Sequence, residues 1–595
     1  MTSNRMARDG REPVSALPDG TYIALAARVR LNKGGRTGAM LMRARMLSEL
    51  GGRRSLVATY DDYPDYAEVR RTLFEQGKLH DPADFVNLFE FYRDRAPADL
   101  GTGSKRLPRV PGTTTRDEPG PDGAPARRHH VDAAGSIVVT DHLRPDGSVF
   151  MRAPLEDGTT PFTLVDHRER VVRTWRHRRS MVRTWLTDLV PTGEVFVVTD
   201  SRYTGSLLMR LRSSRFRVLE VVHNPHTTPD YRWDRPVLET FRRVFDHIDR
   251  LDGLVLLTDR HRQDVAWRFG PTNNLFTVPN PVIPVESPGL AERDRAEFVV
   301  LARLERQKRV GHALRAFAVA RRSVPEARLS VYGDGRQREH LEGLARQLDV
   351  SDHVTFYGYD PRAREKLRSA TALMVTSSHE GFPLGTLEAM SSGCPVLGYD
   401  VKYGMREQIT DGVTGFLVDE GDFHRLAARM VEMANDPALV EKMGVAARHR
   451  ADEHSPEQIF PRWVDVLARV HEQAGSRTKL VGSKLVRASL GRSRLPWSSG
   501  LPFQATVSLL GKGPRPGPQS VSASLDLIVD ETAEVVSTPL KVARRSGALR
   551  LSGHVPASAL APVADAAGSA RLVVVWQNTS REFHLASGRL AELKR

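Results

Sequence analysis

Cysteine is all but absent: Cys394 is the only one in 595 residues. A single thiol excludes an internal disulfide framework and a cysteine-rich metal centre. Long apolar runs are missing too. No segment approaches the roughly 20 consecutive apolar residues that a membrane-spanning helix needs. Residues Met1 to Gly20 are polar, interrupted by Pro13 and Pro18, and lack the apolar stretch of a signal peptide. These absences predict a cytoplasmic protein. Acidic residues are outnumbered, 72 Asp and Glu against 87 Lys and Arg, which leaves a net charge of +15. An Arg-rich coding bias explains such a surplus, and so does a polyanionic partner: nucleic acid, anionic lipid or a phosphate-rich polymer. The total charge does not choose between them.

What is present is the composition of a soluble globular chain, 40% hydrophobic and 27% charged, and too long for one hydrophobic core. An apolar run, Tyr22-Ile23-Ala24-Leu25-Ala26, reads as a strand and leads into Asn32-Lys33-Gly34-Gly35-Arg36-Thr37-Gly38. After it Met40, Leu41, Arg43, Ala44, Met46 and Leu47 recur with helical period. Strand, glycine loop and helix open a doubly wound α/β domain, predicted over 1–59 and 190–290. Residues 60–189 interrupt it and read as a β-rich antiparallel insertion. Its stretch Pro97 to Arg127, rich in Gly, Pro, Asp and Arg, predicts a mobile loop. Ser136 to Thr140 and Ser148 to Ala153 read as strands joined by a Pro145-Asp146-Gly147 turn.

A second α/β series, predicted over 291–475, has strands at Phe298 to Leu301, Arg328 to Tyr332, Val354 to Phe356, Leu373 to Val375 and Val396 to Gly398. Residues 495–595 change character again: short apolar alternations separated by Gly and Pro predict a β-sandwich-like accessory domain. Two parallel sheets joined near Pro279-Asn280-Pro281 imply a ligand cleft between domains.

The most informative stretch is Ser378-His379-Glu380-Gly381-Phe382-Pro383-Leu384-Gly385-Thr386-Leu387-Glu388-Ala389-Met390. Glycines here let the backbone approach a ligand closely, and the following helix offers unpaired N–H groups and the positive end of its dipole. Glu380 and Glu388, across the loop–helix junction, can accept hydroxyl hydrogens at opposite ends of one ligand. A second element, Leu301-Ala302-Arg303-Leu304-Glu305-Arg306-Gln307-Lys308, follows the first strand of this sheet. Its arginine fork and lysine point charge suit a diphosphate.

Glu380 and Glu388, with the flanking Ala389-Met390-Ser391-Ser392-Gly393-Cys394-Pro395-Val396, resemble the E-x7-E pattern of retaining glycosyltransferases of the GT-B fold. That resemblance implies an α/β architecture of two Rossmann-like domains with a cleft between them, here with a β-rich insertion in the N-terminal domain and a C-terminal all-β domain. It implies a nucleotide diphosphate sugar as donor substrate and no separate cofactor. Carried over residue by residue, Glu388 holds the ribose and Glu380 faces the transferred sugar. The loop around Gly381, Phe382 and Leu384 contacts the donor through its amides, and Arg303 and Lys308 stabilise the departing diphosphate. His223, directly after the strand ending at Val222, contacts the donor sugar. Gly34 and Gly35 face the donor phosphates or the acceptor, while the stretch Tyr357-Gly358-Tyr359 holds the base. Where many relatives have glycine this chain has Pro383, which has no N–H to offer.

The chain contains no D-x-D, the metal-binding pattern of the other major transferase fold, so no metal site is expected. Tyr399-Asp400-Val401-Lys402-Tyr403-Gly404 and the insertion resemble a narrower group, the poly(glycerol- or ribitol-phosphate) α-glycosyltransferases of wall teichoic acid synthesis. That resemblance implies transfer of glucose or N-acetylglucosamine from a UDP-linked donor to an anionic polyol-phosphate polymer. It also implies self-association through the insertion and peripheral association with the inner face of the membrane; no nucleic acid is expected. Arg168, Arg170, Arg173, Arg176, Arg178, Arg179 and Arg183, interleaved with Trp175, Trp185 and His177, read equally as a solvated face or as a track for that polymer. Two rival readings stay open: a protein O-glycosyltransferase acting on Ser-rich polypeptide, and a non-catalytic polyanion-binding protein.

Overall fold

The structure, a computed structural model, describes residues 16–31, 34–63, 65–209, 211, 214–285, 296–360, 362–475, 482–490, 501–510, 521–529, 532–545, 548–556, 567–576 and 579–589. Asn32 and Lys33 of the glycine loop, and the expected start of the accessory domain at 495, lie outside them. The chain divides into two compact units, residues 1–220 and 221–595. Among the described residues no helix is long and apolar enough to cross a membrane.

The first unit contains parallel strands in the order Phe85–Asn87, Ser55–Thr59, Thr21–Ala26, Val195–Thr199 and Phe216–Val222. The central ones are buried along their length, as expected where helices cover both faces of a parallel sheet. Helix Gly35–Glu49 buries the apolar stripe read from the sequence. Arg43 lies in that stripe and is buried because its guanidinium grips the Asp200 carboxylate with two hydrogen bonds, 3.1 and 2.5 Å.

The antiparallel insertion is shorter than expected. Residues 60–100 are not part of it: helix Tyr66–Glu75 packs Tyr66, Val69 and Leu73 into the core of the parallel sheet, and Phe85–Asn87 adds a parallel strand. Asp65 and Asn87 cap the helices here with their side chains, short-range signals that hydropathy does not carry. The antiparallel sheet runs from Lys105 to Trp175, in the order Lys105–Arg106, Arg170–Trp175, Phe162–Val165, Val149–Pro154, Ile137–Leu143, Pro125–Val131, Thr114–Pro119. The last two strands reach into the stretch expected to be a mobile loop, ordering 114–119 and 125–127 of it. They are polar, and opposite charges face each other in register: Asp117 opposite Arg128 and Glu118 opposite Arg127. Arg128 reaches Asp117 at 2.8 Å and Arg127 reaches Glu118 at 2.7 Å. Cross-strand pairs of this kind stabilise a sheet without any apolar alternation.

The second unit begins with two parallel strands, Gly253–Leu256 and Leu275–Thr277, separated by helix Asp259–Phe269. A six-stranded parallel sheet follows, ordered Val354–Gly358, Arg328–Tyr332, Glu297–Leu301, Ala372–Val375, Val396–Tyr399, Gly415–Val418. Numbered along the chain this is 3-2-1-4-5-6, the doubly wound order. The first five strands coincide with those read from the sequence; Gly415–Val418 was not anticipated. Seven antiparallel strands between Gly482 and Arg589 make the C-terminal domain. Strand Val535–Arg545 pairs with Val521–Val529 through Val535–Leu540 and with Ala548–Val555 through Lys541–Arg545. By switching partners it folds the sheet over one core, in which Phe503, Val507, Leu549 and Leu551 meet Leu525, Leu572 and Val574.

Candidate active site

Strands Glu297–Leu301 and Ala372–Val375 are neighbours at which the strand order of the six-stranded sheet reverses. Loops leaving such a pair diverge and open a crevice at the strands' carboxyl ends, the habitual ligand position of this topology. The first loop carries Arg303 and Lys308, the second Glu380.

The Arg303 loop lies on the neighbouring glycine turn. Ala302 N–H donates to Tyr332 O at 3.0 Å and Leu304 N–H to Asp334 O at 2.9 Å. A Cβ at Gly333, where φ is +126°, would sit 1.9 Å from Ala302 O, and one at Gly335 would sit 2.5 Å from Leu304 O. Only glycine permits this approach. Arg303 is exposed at the carboxyl end of its strand, and Arg306–Lys308 make a single 3₁₀ turn before helix Val310–Ala320.

The two loops are stitched together before any side-chain charge is considered. Ser378 N–H donates to Gln307 O at 2.8 Å, and Gln307 Nε2 donates to His379 O at 3.0 Å. Thr376 Oγ1 lies 3.1 Å from Lys308 O and 3.0 Å from Arg309 O. The result brings Lys308 Nζ within 2.6 Å of Glu380 Oε1. The side chains are 20% and 9% exposed, so this is a largely desolvated, charge-assisted pair, and removing one partner would strand the other charge.

Beyond Glu380 the loop is tight. A Cβ on Gly381 would meet His223 O at 1.7 Å, so the main chain of His223 lies against this loop; the His223 ring is half-buried. Tyr231 OH approaches His379 Nδ1 at 2.7 Å, and burial pushes His379 below the usual histidine range. Phe382 is buried, its ring centroid 5.4 Å from that of His454, and its carbonyl accepts from Asn280 Nδ2 at 3.3 Å. Pro383 caps helix Leu384–Ser391. It offers no N–H, so the amides at the start of the helix, beginning with Leu384, are the first free of intrahelical partners. Glu388 projects from this helix and is paired with Arg364 at 2.8 Å, side chains 17% and 65% exposed. Arg364 was not foreseen; it lies in the 3₁₀ segment Ala363–Arg368, where no motif marks it.

Tyr357 and Tyr359 flank Gly358 and are 54% and 58% exposed, and Tyr357 stacks on Tyr332 with ring centroids 4.6 Å apart. Gly34 and Gly35 belong to the first unit, where they are exposed and open helix Gly35–Glu49. His226, three residues beyond His223, is a core residue. It is enclosed by Phe245 and Phe269, bonded to His261 at 3.1 Å, and its pKa is lowered by burial to about 3. The basic strip also resolves in part: Trp175 and Trp185 are buried, whereas Arg168, Arg170, Arg173, Arg176 and Arg179 are exposed. Its indoles pack the core instead of offering stacking platforms. Among the described residues no group of three or more His, Cys, Asp or Glu side chains is placed to hold a metal ion.

Residues 286–450 match the family model described as Glycosyl transferases group 1. A poly(glycerol-phosphate) alpha-glucosyltransferase of Bacillus subtilis is 25% identical over 269 residues, 44% of this chain and 40% of the relative's own length. The crystal structure of TarM superposes with a TM-score of 0.66 at 16% identity, covering 77% of this chain and all of TarM. That of the pneumococcal O-GlcNAc transferase GtfA in complex with UDP and GlcNAc gives 0.58 at 18% identity, covering 76% of this chain and 99% of GtfA. The chain therefore carries a group 1 glycosyltransferase domain over residues 286–450, on the GT-B fold expected from its two glutamates.

Proposed function

We propose that the chain is a retaining glycosyltransferase that moves a hexose, glucose or N-acetylglucosamine, from a UDP-linked donor to a polyol-phosphate polymer of the cell envelope. The observation that carries this reading is the Lys308–Glu380 pair, 2.6 Å apart where the strand order reverses. Breaking the glycosidic bond adds negative charge to the diphosphate. Cations already fixed beside it stabilise the transition state more than the ground state. Arg303 and Lys308 supply that charge, and Glu380, tied to Lys308, accepts hydroxyl hydrogens of the transferred sugar. Glu388 takes the ribose, the amides around Gly381, Phe382 and Leu384 contact the donor, and His223 lies beside the sugar. Tyr357 and Tyr359 border the base, while Gly34 and Gly35 serve phosphates or acceptor. Attack on the face the leaving group departs from, with the departing phosphate as base, retains configuration and requires no protein nucleophile.

The polymer acceptor is favoured by the relative's acceptor, poly(glycerol phosphate), and by the net charge of +15. Exposed arginines of strand Arg170–Trp175 and helix Arg178–Leu189 suit the polymer's phosphates. Self-association through the antiparallel sheet and contact with an anionic membrane surface belong to the same reading. The likeness to GtfA keeps a Ser-rich polypeptide as the second acceptor to test. Incubating the protein with UDP-glucose or UDP-N-acetylglucosamine and either poly(glycerol phosphate) or a Ser-rich peptide decides among them. Label transferred to the polymer supports this reading, label on the peptide replaces the acceptor, and no release of UDP with any nucleotide sugar removes the function.

A further inference from the structure

One motif noted in the sequence has no part in the transfer chemistry above: Tyr399-Asp400-Val401-Lys402-Tyr403-Gly404. In the structure this segment grips the main chain of Glu380. Glu380 N–H donates to Lys402 O at 3.0 Å, and Tyr403 N–H donates back to Glu380 O at 2.5 Å. Gly404, with φ of +86°, lies so close that a Cβ there would meet Gly381 O at 2.7 Å and Phe382 Cα at 2.8 Å. Residues 402–404 therefore form the mould in which 380–382 are set.

What holds the mould is a single carboxylate from a distant part of the sequence. Asp264, on helix Asp259–Phe269, accepts at the same oxygen, Oδ2, from Lys402 Nζ at 2.7 Å and from Tyr403 OH at 2.6 Å. Asp264 is 3% exposed at its side chain, Lys402 19%. The Tyr403 ring stacks on that of His261, centroids 4.2 Å apart and 6° from parallel. Burial, and then the Asp264 charge, push the Tyr403 hydroxyl up, so it stays a donor. Lys402 Nζ also donates to Tyr231 O at 3.2 Å and lies 5.5 Å from the centroid of the Tyr403 ring. Beside the pair lies a cavity of about 330 Å³, lined by Arg232, Trp233, Trp267 and Glu534 among others. Lys402 itself lines this cavity, so its hydrogen bonds contribute strongly to fixing it.

We propose that Asp264 is a positioning residue of the transfer site: by holding Lys402 and Tyr403 together it fixes the peptide segment that aims Glu380 at the donor. This rests on the transferase reading above. A displacement of about 1 Å at a reacting group is enough to cost roughly 100-fold in rate. Asp264 acts through Lys402 and Tyr403, so its loss should spare donor affinity.

The test uses the full-length chain. In Asp264→Asn, kcat should fall about 100-fold while the Kd for UDP changes less than about twofold. Tyr403→Phe keeps the Lys402–Asp264 pair and should lose roughly tenfold in kcat. The double variant should be no slower than Asp264→Asn, because both act through one carboxylate. Amide hydrogen exchange at 378–382 should be about tenfold faster in Asp264→Asn than in the wild type. Unchanged kcat in Tyr403→Phe, or unchanged exchange at 378–382 in Asp264→Asn, overturns the proposal. A fall in melting temperature with normal kcat also overturns it, by making the role structural. If the wild type releases no UDP from any nucleotide sugar, the transferase reading fails, while the exchange measurement still decides whether Asp264 sets the Glu380 loop.

Discussion

Two buried glutamates, one in each unit, show how surroundings decide what a carboxyl group can do. Glu380 is 9% exposed at its side chain and has the Lys308 ammonium 2.6 Å away. Glu220, in strand Phe216–Val222, is 1% exposed, and its Oε2 has no hydrogen-bond partner among the described residues. Burial first, and then the Asp200 charge, push its carboxyl well above the ordinary glutamate range; Arg36, Arg202 and Arg43 only partly oppose the rise. Arg43, the one buried in the helix stripe, is bonded to Asp200. A fixed cation within hydrogen-bonding distance makes a buried acid usable as an anion, whereas cations committed elsewhere or kept at a distance leave it protonated.

The contrast breaks most readily at Lys308. Lys308→Ala should strand Glu380 without its cation, and transfer should fall by roughly 10²–10³-fold, the scale for losing one charge-stabilising donor. Glu380→Ala should fall comparably, and the double variant should lose little more than either single one, because the two act as a pair. Steady-state kinetics with a radiolabelled donor checks all three. Near-wild-type rates in either single variant contradict the assignment.

A smaller effect comes from geometry alone. Gly381→Ala places a methyl group against His223 O, and backbone cannot swing aside as a side chain can. It should destabilise by about 1–3 kcal/mol and lower turnover while leaving every charge in place, measurable by thermal unfolding alongside kinetics. Glu388→Gln should act mainly on donor affinity, weakening UDP by roughly tenfold, about 1.4 kcal/mol, with kcat less affected. Calorimetric titration of UDP separates these two cases.

The smallest and most diagnostic change is Glu220→Gln. Because the folded carboxyl holds its proton more tightly than the unfolded one, stability from this group is fully present below the ordinary glutamate pKa of about 4.3 and is lost as pH rises through the raised value. The amide removes that loss. The variant should unfold at higher temperature at pH 7.5, by roughly 2–4 °C per kcal/mol regained, and the gain should vanish near pH 4. A variant less stable than wild type at pH 7.5 would mean that Glu220 is ionised and paired.

Much of this was legible because the relevant signals are local. The strand at Glu297–Leu301 and the two glutamates each announce themselves within a few residues. The doubly wound order then forces the loops carrying Lys308 and Glu380 to the same crevice. What escaped depends on partners distant in sequence or on polar pairing. Strands Thr114–Pro119 and Pro125–Val131 are held by Asp117–Arg128 and Glu118–Arg127, and no hydrophobic period betrays them. Arg364 beside Glu388 and Asp264 beneath Lys402 are single charged residues in unremarkable segments, visible only once the fold brings them together. Trp175 and Trp185 mislead in the opposite sense, since an aromatic among arginines looks like a binding platform until its burial is known.

The most direct measurement compares UDP with UMP by calorimetric titration of the wild type and Lys308→Ala. If the cations at this crevice grip a diphosphate, the wild type prefers UDP to UMP by at least about tenfold, or 1.4 kcal/mol, and the variant loses most of that preference. Equal affinity for the two nucleotides in the wild type, or an undiminished preference in Lys308→Ala, would contradict it.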